Sequence, residues 1–297
     1  MRIIQSHADF EDLTPYGYGK SSKEKINKKL LFYGFLLSYI TIKENCGNVT
    51  MFCDDNAYEK LIKYIPYDDI IFKRNDNRFR FWSKYKIDVM RSVNDDLIHF
   101  DSDVMIFDND FKTVINSDWD VLVQDTIPPN INISKDFVKD NYNFLKNRMN
   151  FNVDNYDNRC SSCGTFGVKK DFLKNYLKVI DQVYPKLYDR SLIVNDDVLG
   201  MVLEELTAYL TTFYSSKQFK YEEVLPFDLV LKHGVFHVGN IKKYTHLWMR
   251  TKYEMKYIKL IRKKIIKQYP NYFKYVEKYE QEKNIIWDDS KNYNQII

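Results

Sequence analysis

Two aspartates one residue apart, Asp101 and Asp103, carry the clearest chemical capacity in this sequence. They close the apolar run Leu97-Ile98-His99-Phe100, and a second run, Val104-Met105-Ile106-Phe107, follows them. In extended backbone, residues i and i+2 project to the same side, so both carboxylates can face one cation across the small Ser102. Hard divalent ions such as Mg²⁺ or Mn²⁺ take carboxylate oxygens and keep positions for substrate phosphate. Such an ion neutralises a diphosphate as it becomes a leaving group. An acidic surface turn contains the same Asp-x-Asp step. Its place at the end of a buried strand brings the site reading level with that of the turn, because a core strand rarely ends in two carboxylates aimed at nothing.

Four further residues have types that suit such chemistry. In the helix expected over 79–92, Trp82 and Lys86 share a face, as do Tyr85 and Val89. Lys86 therefore lies near the apolar side, where it either snorkels or meets an anionic partner. His246 is either a packed histidine beside Trp248 or a metal ligand; as a ligand, its imidazole suits Mn²⁺ better than Mg²⁺. A general base that takes a proton from a substrate hydroxyl must lie within hydrogen-bond reach of it, and a carboxylate can fill that role. Glu204 is the first choice for that base and Asp197 the second. They lie seven residues apart on nearly one face of the helix expected over 196–214. Acids at a helix start also serve as ordinary caps. His233 and His237 read as structural. Cys160-Ser161-Ser162-Cys163 is a lone C-x-x-C without the second pair that zinc requires.

The elements that must position these residues alternate. Strands are expected at 2–5, 48–53, 70–72, 96–100 and 119–124, with helices at 23–44, 56–64 and 79–92 between them. That order implies an α/β fold with a largely parallel, Rossmann-like sheet covered on both faces. Later come a strand at 163–169, helices at 171–184 and 196–214, and a strand at 235–243. In such sheets ligands gather beyond the carboxyl ends of the strands, here marked by Gln5-Ser6-His7, Asp54-Asp55, Asp101-Ser102-Asp103 and Gln124-Asp125.

Phe81-Trp82-Ser83-Lys84-Tyr85-Lys86-Ile87-Asp88 followed by Asp96 to Val104 resembles the pattern of GT-A glycosyltransferases. There an aromatic-led helix bearing a lysine precedes a strand that ends in a DxD motif. Cys163-Gly164-Thr165-Phe166-Gly167 resembles the family's small-residue turn beside the acceptor pocket, and Tyr244-Thr245-His246-Leu247-Trp248 its late His-containing segment. The likeness covers about residues 1–250. It implies Asp101, Asp103 and His246 as metal ligands. It also implies Gln5, Ser6, Lys86 and Ser102 on the donor side and Gly164 and Thr165 on the acceptor side. The reaction implied is hexosyltransferase-like: sugar passes from a nucleotide-diphosphosugar, usually a UDP-sugar, to a glycan or other hydroxyl acceptor with Mn²⁺ or Mg²⁺. The turn departs from the family's usual Asn-x-Gly, since Ser162-Cys163 precede Gly164.

Composition bounds the alternatives. A chain of 297 residues, 44% hydrophobic and with a net charge of +4, is globular and demands no polyanionic partner. Four cysteines without disulfide spacing suit a reducing compartment, and the N-terminus lacks an apolar leader, so a cytoplasmic location is expected. The apolar run 30–42 is too short to span a membrane. We expect one GT-A domain over 1–250 and a basic helical extension over 251–297. In the extension Ile258, Ile261 and Ile265 form an apolar stripe among lysines, and Pro270 breaks the helix. Such a helix either docks on its own domain or meets an anionic membrane, a polyanionic acceptor or nucleic acid. Two other functions compete. Metal-dependent nucleotidyl transfer would bring a glycine-rich loop, of which Tyr16-Gly17-Tyr18-Gly19-Lys20 is a poor version. A non-enzymatic basic nucleic-acid-binding protein would show steep salt dependence.

Overall fold

A computed structural model describes residues 1–9, 28–75, 82–108, 111–127, 157, 159–191, 196–215, 217–224, 244–247 and 254–287. In chain order its strands are β1 (Arg2–His7), β2 (Val49–Cys53), β3 (Asp69–Phe72), β4 (Leu97–Phe100) and β5 (Val104–Ile106). They continue with β6 (Val121–Ile127), β7 (Cys160–Val168), β8 (Tyr221–Glu223) and β9 (Tyr244–His246). The helices are α1 (Leu31–Asn45), α2 (Asp55–Lys60), α3 (Trp82–Val93), α4 (Phe111–Ile115) and α5 (Lys170–Ser191). After them come α6 (Asp196–Met201), a π-helical turn at Val202–Leu206, α7 (Thr207–Tyr214), α8 (Met255–Gln268) and α9 (Phe273–Lys283). The chain divides into two compact units whose segments interleave: Met1–Ser6, Asn75–Phe100 and Asn116–Val230 in the first, His7–Arg74, Asp101–Ile115 and Leu231–Ile297 in the second.

In the first unit the strands lie in the order β1-β4-β7-β6-β8. β1 runs parallel to β4 with Ile3 opposite Ile98, and β6 runs parallel to β8. β7 is antiparallel to both of its neighbours. Its residues are buried along their whole length, including the small Cys160 to Thr165. Gly167 is needed there: a Cβ on it would stand 2.9 Å from the Leu122 Cβ and 3.0 Å from the Trp119 ring. The register between β6 and β7 shifts after Val123, so that Asp125 pairs with Ser162. Such irregularities re-aim side chains. Helix α3 is tied to α6 by the Ser83 hydroxyl, which donates to the Gly200 carbonyl at 2.8 Å.

The second unit holds the parallel pair β2–β3, the antiparallel pair β5–β9 and helix α1. Helix α1 is apolar nearly all round, and a helix of that kind is buried. Its polar side chains grip β5. The Ser38 hydroxyl donates to the Val104 carbonyl, Thr41 Oγ1 accepts the Ile106 N–H at 3.1 Å, and Asn45 Nδ2 donates to the Ile106 carbonyl at 2.7 Å. Ile258, Ile261 and Ile265 of α8 are buried, so the apolar stripe is spent inside this unit. Around it Arg262 binds Glu280 through Nε at 2.6 Å and Nη2 at 3.1 Å, and Glu280 also accepts from Tyr33 and Trp287, both at 2.8 Å. Tyr279 stacks on Phe32 with ring centres 3.9 Å apart. No helix among the described residues is long and apolar enough to cross a membrane.

The α/β class and the mostly parallel sheet flanked by helices agree with the alternation in the sequence. Three details depart from it. Strands β5, β8 and β9 are only three residues long, too short for a period to show. Helix α5 continues through the exposed Pro185 to Ser191, since a proline there forfeits one hydrogen bond without forcing an end. The helix expected over 196–214 is interrupted by the π-helical turn. The strand expected over 235–243 and the first residues of the helix expected from Lys23 lie outside the described residues.

Candidate metal centre

Asp101 follows β4 directly, and the chain then turns rather than staying extended: the Val104 N–H closes the turn on the Asp101 carbonyl at 3.0 Å. The two carboxylates therefore approach through a four-residue turn, not through the i, i+2 relation of a strand. The third member arrives by strand pairing. β9 runs antiparallel to β5 with His246 opposite Val104, and the Leu247 N–H donates to the Asp103 carbonyl at 3.0 Å. His246 Nε2 comes to 3.3 Å from Asp103 Oδ1 and 3.9 Å from Asp101 Oδ2.

One ligand atom from each of Asp101, Asp103 and His246 lies within 4.8 Å of the others. Ligands about 2.1 Å from a shared ion stand about 3 Å apart when adjacent and about 4 Å apart when opposite. The 3.3 Å and 3.9 Å separations from His246 match that spacing, with two carboxylate oxygens and an imidazole nitrogen as the donor set. The Asp103 and His246 side chains are nearly enclosed, whereas Asp101 is 25% exposed and forms the open side. Ser102 is buried between the two aspartates.

The first unit gathers the other candidates differently. Lys86, 4% exposed, points its ammonium at Glu204 Oε1, 2.5 Å away, and donates to the Cys163 carbonyl at 2.6 Å. Glu204 is 1% exposed and belongs to the π-helical turn, which swings both Glu204 and Glu205 inward. Lys86 and Glu204, which sequence reasoning placed on two substrates, are brought together as a buried ion pair. Gln5 and Thr165 are fully buried on β1 and β7, and Gly164 lies between Thr165 and the Lys86-bound Cys163. The Ser6 hydroxyl shares a 2.8 Å hydrogen bond with His99 Nε2. Burial, and then the nearby Lys86 charge, push the His99 imidazole well below its ordinary range, so it is neutral. Asp197 lies in α6, but its side chain is outside the described residues, as are His233, His237, Trp248 and Tyr16 to Lys20.

Sequence reasoning missed three contributors. His99 was legible as a polar residue in a buried strand, yet nothing local pointed to Ser6. Ser38 and Asn45 were hidden in an apolar helix, and only their contacts with β5 reveal their part. The four cysteines are free thiols, and burial pushes Cys46 and Cys53 up to about 12.

The model of a family described as "Family of unknown function (DUF6734)" matches residues 1–279. No curated protein matches the chain. Among solved structures it is similar to HddC from Yersinia pseudotuberculosis, at 11% identity and a TM-score of 0.41, over 87% of this chain and 98% of that one. It is similar to the inositol-1-phosphate CTP transferase from T. maritima at 10% identity and a TM-score of 0.42, over 89% and 96% of the two chains. A glycosyltransferase involved in the glycosylation of the major capsid of PBCV-1 matches at 10% identity and a TM-score of 0.36, over 88% and 99%.

Proposed function

We propose that this chain, which belongs to the Family of unknown function (DUF6734), is a divalent-cation-dependent glycosyltransferase that takes a nucleotide-diphosphosugar as donor. One observation carries the reading: Asp101, Asp103 and His246 bring two carboxylates and an imidazole within 4.8 Å of one another. A divalent ion held there would offset the charge that develops on a departing diphosphate. Imidazole in the ligand set favours Mn²⁺ over Mg²⁺. The resemblance of the central block to GT-A glycosyltransferases supports a UDP-sugar as donor, a hexosyltransferase-like reaction and a glycan or other hydroxyl as acceptor.

The remaining roles are part of the same proposal. Ser102, held between the two aspartates, lies on the donor side. Gln5 and Ser6 serve the nucleoside, and the neutral His99 fixes the rotamer of the Ser6 hydroxyl. The Lys86 ammonium is engaged by Glu204 and Cys163, which supports a positioning role for that pair. It pins β7 at Cys163, next to the acceptor-side residues Gly164 and Thr165. With Glu204 committed to Lys86, Asp197 becomes the carboxylate assigned to take the acceptor proton.

The decisive measurement is nucleotide-sugar hydrolysis and transfer by the full chain with and without Mn²⁺. We expect turnover that EDTA removes and Mn²⁺ restores, and that Asp103→Asn abolishes while the protein stays folded. Turnover unchanged in Asp103→Asn would overturn the proposal.

A further inference from the structure

Helix α8 places its charges in an uneven way. Residues 255–268 contain six basic residues and no acid, in a chain whose net charge is only +4, so the remainder is slightly acidic. The apolar side of the helix, with Tyr257, Ile258, Ile261 and Ile265, is buried within its own unit. At 100° per residue the opposite arc carries Lys256, Lys259, Lys263 and Lys267 side by side. Met255 (47% exposed) and the half-buried Ile266 flank the lysines on one side, and the half-buried Leu260 flanks them on the other.

The remaining two cations of the helix are used internally. Arg262 is bound by Glu280, and Lys264 is half-buried over the Phe107 ring, 3.9 Å from its centre. On the outward arc Lys256 pairs with Glu254 at 3.1 Å. Lys263 and Lys267 enter no ion pair among the described residues, although 41 acids are present in the chain. A solvated helix face ordinarily mixes signs, as α9 does with Lys274, Glu277, Lys278, Glu280 and Glu282. α8 does not.

We propose that the outward face of α8 is a docking surface for an anionic lipid bilayer. Lysines act as point charges suited to a diffuse plane of headgroups, whereas the arginine fork that reads phosphate in two teeth is turned inward here. Lys256 to Lys267 span about 16 Å along the helix axis, enough for several headgroups. The exposed Met255 and the half-buried Leu260 and Ile266 supply shallow apolar contact at the edges. The outward arc of the helix has no aromatic ring on which unpaired bases would stack, which disfavours nucleic acid. This docking is independent of the proposed transfer reaction.

The test is co-sedimentation of the full chain with phosphatidylcholine vesicles, either pure or containing phosphatidylglycerol, at low and high salt. Binding is expected only to the anionic vesicles, with loss at high salt. Removing a lysine lowers partitioning about fivefold. The double charge reversal Lys263→Glu/Lys267→Glu should therefore lower it by well over tenfold with an unchanged melting temperature, while Lys274→Glu on α9 serves as a control that keeps most of the binding. The inference is overturned by no sedimentation with anionic vesicles, by equal binding to neutral ones, or by undiminished binding in the double variant. Tighter binding to a single-stranded oligonucleotide than to the vesicles also overturns it.

Discussion

His246 Nε2 stands 3.3 Å from Asp103 Oδ1, although the two residues lie in separate parts of the chain. The β5–β9 pairing brings them together, with the Leu247 N–H on the Asp103 carbonyl as its last bond. Removing either ligating side chain should therefore remove the stabilisation that a bound cation supplies. With the site intact, Mn²⁺ at about a hundred times its dissociation constant stabilises the fold by about 2.7 kcal/mol. Asp103→Asn and His246→Ala should each erase most of the Mn²⁺-induced rise in melting temperature. Thermal shift without substrate reads this directly, and a full rise retained in both variants would exclude this triad as the metal site.

Asn45 bears on the same centre from a distance. Its side chain closes on the Ile106 carbonyl at one end of β5, while Ser38 closes on Val104 at the other. Asn45→Ala leaves a buried carbonyl without its donor, at a cost of about 1–3 kcal/mol. Weaker Mn²⁺ binding should accompany the loss. Urea unfolding paired with Mn²⁺ titration distinguishes this from a purely local effect, in which metal affinity would stay at the wild-type value.

The Lys86–Glu204 pair yields a prediction about sign. Breaking a buried pair strands a charge, costing about 3–5 kcal/mol, whereas replacing both partners with apolar residues is often nearly neutral. Lys86→Met should therefore destabilise the protein more than Lys86→Met/Glu204→Leu does. A double variant at least as unstable as the single one would mean that Glu204 has other essential partners.

Two glycines should respond in opposite directions. A Cβ on Gly34 in α1 would meet only Leu247 Cδ1 at 3.8 Å, an ordinary contact, so Gly34→Ala should stabilise by about 0.5–1 kcal/mol. Gly167→Ala would press on Leu122 and Trp119 and should cost about 1–3 kcal/mol. Chemical denaturation of the two variants tests both statements.

Glu280 accepts from Arg262, Tyr33 and Trp287, so it joins α9 to α1 and α8. Glu280→Gln keeps the shape but weakens the charge-assisted bonds. We expect a loss of about 1–2 kcal/mol and faster proteolysis within 254–287. Cleavage at the wild-type rate would show that apolar packing alone holds these helices.

Much of this arrangement was legible in residue order. The alternation of short apolar runs with helical spacing determined an α/β fold. An apolar strand that stops in Asp101-Ser102-Asp103 marked two of the three side chains that the fold gathers with His246, because hydrophobicity and charge are local properties that a window of a dozen residues displays. The stripe Ile258, Ile261 and Ile265 likewise identified the inward side of α8.

Tertiary structure alone decided the rest. That Asp101 and Asp103 converge through a turn, that β9 delivers His246 beside them, and that Lys86 is engaged by Glu204 all follow from which distant segments pack together. Pairing in a sheet and contact across a core are set by the sum of many weak interactions over the whole chain. Three-residue strands such as β5 and β9 have too little periodicity to announce their partners, and a buried lysine looks the same in sequence whether its counter-ion is a substrate or a glutamate from another helix.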